Sequence, residues 1–146
     1  MIALATAVII AVLGDVAIYL YSKRRPVGKY LTWAEAIAAA VFAFFMFNLW
    51  YGIIPHQWIS LADNEWGWRA DRILYGPGAF LKPDSAGGVN PVTISYQSVR
   101  DIGVVVIYGI GLTLQVWHWA QWQNRAKPKV EVVPTTTYGR PLARKS

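Results

Sequence analysis

Three stretches of this chain, residues 2–22, 31–54 and 102–122, hold almost no charge. Each runs to about 20 residues, and at about 1.5 Å rise per residue a helix of that length crosses the roughly 30 Å hydrocarbon core of a bilayer. A buried helix of a soluble protein is usually shorter and carries a polar stripe. Few polar groups interrupt the stretches: Asp15 in the first, Glu35 and Asn48 near the two ends of the second. The pattern predicts an all-α integral membrane protein with three transmembrane helices. An ordered extracytoplasmic loop containing an interfacial helix and a basic C-terminal tail complete it. The expected division is one transmembrane domain over 1–124, including the outer loop 55–101, and an extended cytoplasmic tail over 125–146.

Composition supports this and narrows it. Of 146 residues 55% are hydrophobic and 15% charged, against about 25% charged in a soluble domain. The net charge of +6 does not point to nucleic acid, because the Lys and Arg cluster beside apolar spans, at 23–29, 125–129 and 140–145. That is where membrane insertion and anionic lipid select them. Ser22-Lys23-Arg24-Arg25-Pro26 and Arg125-Ala126-Lys127-Pro128-Lys129 are expected on the cytoplasmic side. The N-terminus is then outside and the C-terminus inside, with a bacterial plasma membrane as the expected location. The first stretch lacks the basic start and small-residue cleavage motif of a secretion signal and reads as a retained helix. Tyr and Trp prefer the membrane interface, which accounts for Tyr19, Tyr21, Trp117 and Trp122 at one boundary and Trp50, Tyr51, Trp58 and Tyr96 at the other.

Helices in a bilayer associate through close backbone approach and polar contacts. Ala3, Ala7 and Ala11 recur at a spacing of four on the first helix, on the face that continues to Asp15. The second offers Ala36 and Ala40 with Ala39 and Ala43 beside them, and the third carries Gly103, Gly109 and Gly111. The segment from Pro55 to Arg100 is too long and too aromatic for a bare connection. An interfacial helix is expected within 57–74, then a Gly/Pro-rich loop, and a short strand over 92–96.

Soluble-enzyme motifs are missing: no phosphate-cradling glycine loop, no GxSxG and no HExxH. With no cysteine, thiolate metal and Fe–S sites are excluded. His56 and His118 lie about a bilayer apart on this topology, so one chain cannot hold a haem between them. Asp15 is the residue of most interest, because a carboxylate at depth costs about 2.5–3.5 kcal/mol and usually faces a partner, a cavity or a functional path. Gln115 falls at nearly its depth, with Glu35 and His118 closer to the inner boundary. These four could converge as a proton relay or quinone headgroup site. The competing reading is structural, an interhelical hydrogen bond from Asp15 to Gln115 with Glu35 and His118 in the wet interface. On the outer side His56, Trp58, Trp66, Trp68 and Arg69 form a candidate partner-docking loop.

The sum suits a non-catalytic accessory subunit of a larger membrane complex, of the respiratory or other electron-transfer kind. Its expected partners are other membrane subunits and the lipid bilayer, with no cofactor bound by the chain alone. A quinone- or haem-binding anchor sharing its cofactor with a partner subunit is the alternative, and a small transporter or channel subunit a third.

Overall fold

The computed structural model describes residues 1–125; the tail expected from residue 125 onward lies outside them except for Arg125. Helix α1 spans Ile2–Arg24, α2 Trp33–Asn48, α3 Ile54–Asn64 and α4 Tyr96–Asn124. Leu49–Ile53, between α2 and α3, is a π-helical turn. Three helices are therefore long and apolar enough to cross a membrane: Ile2–Arg24, the continuous Trp33–Asn64, and Tyr96–Asn124. The ends carrying residues 23–33 and 117–125 are called the basic end below, and the opposite one the loop end.

Two expected boundaries move. The second helix does not stop at residue 54 but continues to Asn64, for 32 residues, or about 48 Å. The expected interfacial helix within 57–74 is replaced by this continuation as far as Asn64, after which the chain is irregular. The third long helix starts at Tyr96 rather than near 102.

Pro55 explains how the second helix survives a residue that normally breaks one. Proline has no N–H to donate and its ring collides with the carbonyl four residues back. Here the preceding turn is widened, Ile54 N–H donating to Leu49 O, and Pro55 falls in the first turn of the re-formed α-helix. At that position the missing donor costs least. At the other end, Thr32 begins α2 with a capping box: its Oγ1 accepts from Glu35 N–H at 3.2 Å and its N–H donates to Glu35 Oε2 at 3.0 Å. The T-x-x-E spacing is the sequence signature of that cap.

The core is small and lies where the π-turn meets α1 and α4. Ala7, Ala11, Met46, Leu49, Trp50 and Ile54 are its buried members. Ala7 and Ala11 serve the packing for which their spacing suits them. Glycines of α4 admit two indoles: Trp58 lies over Gly103 and Trp50 over Gly111. At the loop end Arg100 grips Asp63 with a two-pronged contact of 2.6 and 2.8 Å, tying α3 to α4. At the basic end Arg125 Nη1 donates to Ser22 O at 2.8 Å, tying α4 to α1.

Residues 65–95 fold back over the loop end. Gly67, at φ +62°, allows the reversal in which Trp68 N–H donates to Ala62 O. Beyond it come two 3-10 turns, Pro77–Ala79 and Asp84–Ala86. The strand expected over 92–96 is reduced to an isolated antiparallel bridge between Ile73 and Ser95.

A Cβ placed on Gly103 would sit 2.6–2.7 Å from the Trp58 ring, which is itself held by its Nε1–H bond to Arg100 O at 2.9 Å. Gly103→Ala is therefore expected to cost about 1–3 kcal/mol through overpacking. The loss is measurable as a lower unfolding midpoint in detergent. Gly109→Ala, which meets open space, should leave the midpoint unchanged.

Candidate functional site

The polar groups predicted to gather in the apolar region divide into two sets. Asp15 of α1 is 8% exposed. Its Oδ2 accepts a hydrogen bond from Trp50 Nε1–H, on the π-turn, at 3.2 Å. Its Oδ1 lies 3.7 Å from His118 Nδ1 of α4, and its backbone carbonyl is 3.1 Å from His118 Nε2. One carboxylate thus touches all three long helices. Gln115 does not bond Asp15 as expected; its Oε1 accepts from Tyr51 O–H at 3.1 Å. Two consecutive π-turn residues, Trp50 and Tyr51, therefore supply the side-chain donors to Asp15 and to Gln115.

Glu35 is not part of this group. It serves the Thr32 cap and reaches Arg25 Nη2 at 3.3 Å, so it belongs to the basic end. It lies 15 residues along the helix from Trp50, the residue that meets Asp15, or about 22 Å at about 1.5 Å per residue, and α2 makes almost no close backbone approach to α1 or α4 in between.

The geometry at Asp15 constrains its protons. A carbonyl oxygen can only accept, so His118 Nε2 carries a hydrogen. Nδ1 then faces Asp15 Oδ1 either bare or protonated. A bare ring nitrogen opposite a carboxylate oxygen sets two lone pairs against each other, in surroundings where an unpaired polar group is costly. The distance of 3.7 Å is longer than a hydrogen bond, and Nδ1 has no hydrogen-bond partner among the described residues.

An opening of about 280 Å³ reaches this pair between α1 and α4, bordered by Val12, Val16, Tyr19, Leu114 and Trp117 as well as Asp15 and His118. Tyr19 and Trp117 stack with centroids 5.6 Å apart along it. The walls are otherwise apolar, and no group of three or more His, Cys, Asp or Glu that could hold a metal ion occurs among the described residues.

The candidate docking residues lie at the loop end. Trp58, Trp66 and Trp68 pack on one another with centroids 4.9–6.1 Å apart, and Trp68 packs on Tyr96 at 6.0 Å. They glue the irregular segment to α3 and α4, leaving Trp66 partly exposed. His56 is exposed on α3, and Arg69 is exposed and paired with Asp71 at 3.1 Å.

Removing the Asp15 carboxyl should leave Trp50 Nε1 without its acceptor in an apolar interior. Asp15→Ala is expected to cost about 1–3 kcal/mol, whereas Trp50→Phe, which removes one donor, should cost about 0.5–1.5 kcal/mol. Unfolding midpoints in detergent, compared with wild type, check both. Equal stability of wild type and Asp15→Ala would show that the carboxyl is not an interhelical tie.

Comparison with family models, with curated proteins and with solved structures gives no match for this chain.

Proposed function

We propose that this protein is an integral membrane subunit without catalytic activity of its own, built to assemble into a larger membrane complex. The observation that carries this reading is the α2 arm. From Trp33 to Phe45 the helix stands away from α1 and α4, and Ala36, Ile37, Ala40, Val41 and Phe44 are all exposed. The bundle uses Ala7, Ala11, Gly103 and Gly111 for its own contacts. Ala36 and Ala40, one helical turn apart, form a second small-residue face that the chain's own helices leave open. Faces of this kind let another transmembrane helix approach closely. In this reading the basic end is cytoplasmic, which puts the N-terminus and the loop end outside, where the tryptophan-rich cap can meet partner domains.

The experiment is mild detergent extraction of the tagged full-length chain, native electrophoresis, and identification of the proteins that migrate with it. The chain is expected in a species well above its own mass. The double variant Ala36→Leu/Ala40→Leu should release it as a small species with an unchanged unfolding midpoint. Migration of the wild-type chain alone would overturn the proposal.

The opening beside Asp15 and His118 favours a second reading, a quinone-binding anchor of an electron-transfer complex. A quinone ring entering from lipid would find apolar walls and, in the Asp15–His118 pair, polar groups to hydrogen-bond its carbonyl oxygen. Quinone retained by the purified protein should then fall strongly in His118→Ala and Asp15→Asn. Retention equal to wild type in both variants excludes this reading, and haem absorbance from the isolated chain would replace it with a haem-anchor role.

A further inference from the structure

We infer that the basic end holds one anionic glycerophospholipid, with an acyl chain between α1 and α2 and its phosphate over the turn that joins them. The inference rests on the membrane setting of the helices and not on assembly with a partner.

The apolar half of the site is a cleft of about 530 Å³ between the diverging helices, walled by Ala17, Ile18 and Tyr21 of α1 and by Ala39, Phe42 and Ala43 of α2. It is closed at its deep end, where Met46 and Phe42 pack against Gly14. At the basic end the ion pair of Arg25 with Glu35 bridges the same two helices. Along α2 the cleft extends from Glu35 to Ala43, about 12 Å at 1.5 Å per residue. A transmembrane helix of a partner needs a groove of about 30 Å to lie along. The space is too short for a helix and suits one flexible hydrocarbon chain, with the second chain of the lipid lying in bulk bilayer.

The polar half adjoins it. A second hollow of about 210 Å³ is bordered by Arg25, Gly28, Lys29 and Arg125, and Trp122 borders both spaces. Arg125 is oriented there by its bond to Ser22 O and by stacking over the Trp122 ring, 3.7 Å from the centroid. Lys29 is exposed, as are the neighbouring Lys23 and Arg24. Among the described residues Glu35 is the one acidic side chain bordering these two spaces, and it is engaged by Arg25 and the Thr32 N–H. The surplus positive charge beside an apolar slot is the arrangement by which interhelical basic pockets select anionic headgroups. A free anion would satisfy the cations alone, and a neutral hydrocarbon would satisfy the slot alone. Only an amphiphile with a negative head satisfies both.

Native mass spectrometry of the full-length protein, delipidated and then titrated with phosphatidylglycerol or phosphatidylcholine, tests this. One phosphatidylglycerol is expected to stay bound in clear preference to phosphatidylcholine, and inorganic phosphate should not displace it. Ala39→Phe, which fills the slot with an apolar ring, should abolish retention of either lipid while the unfolding midpoint is kept. Lys29→Gln should reduce the anionic preference about fivefold, the equivalent of one basic residue near a membrane surface. Equal retention of the two lipids by wild type, displacement by phosphate, or wild-type retention in Ala39→Phe would each overturn the inference. Because lipid retention is read on the isolated chain, its outcome is independent of whether a partner complex is found.

Discussion

A proline placed about two-thirds of the way along a 32-residue helix is the constraint around which the rest of this structure is arranged. Pro55 cannot donate to the turn before it, and the backbone answers by widening that turn over Leu49–Ile53. Single π-turns of this kind occur inside α-helices, frequently at functional sites. Here the wider turn faces the bundle with both Trp50 and Tyr51, which find Asp15 and Gln115. The same turn carries Leu49 and Trp50 into the core, against the alanine face of α1 and the glycines of α4.

From that point the molecule is held by few but well-separated ties. Apolar contact gives little advantage over lipid, so close backbone approach and hydrogen bonds carry helix association. Asp15 joins the three long helices in the middle. Arg100 with Asp63 fastens one end of α4, and Arg125 with the α1 backbone fastens the other. The α2 arm is tied at its ends, by Met46 near Gly14 and by Glu35 with Arg25, and diverges between them. Its exposed outer face and its inner cleft both follow from that divergence, and they are the surfaces proposed above for a protein partner and for a lipid.

Asp15 was legible in the sequence because a carboxylate within an apolar run is costly enough to demand a partner. The identity of that partner was not. Trp50 and Tyr51 fall where interface aromatics are expected, and nothing in a linear sequence says that a π-turn will aim them inward. Gln115 was expected opposite Asp15 by depth alone, and depth says nothing of the angle around a helix axis. Glu35 illustrates the opposite case. It was expected beside Asp15 or in the wet interface, although Thr32-x-x-Glu35 carries the signature of a cap that this expectation passed over, and the cap is what the structure contains. The second helix was expected to end near residue 54, where the apolar run stops; it continues because the widened turn accommodates Pro55, a residue type that usually marks a helix boundary.

The sequence by itself determined that three helices form and roughly where, since length and apolar composition are properties of consecutive residues. It also determined which ends are basic and which residues are small enough for close packing. Only the tertiary structure decided that Asp15 meets Trp50 and His118, that Gln115 meets Tyr51, and that α2 leans away to open a cleft. Those outcomes depend on rotation about helix axes and on crossing angles. They are set by side chains distant in the chain competing for the same small core.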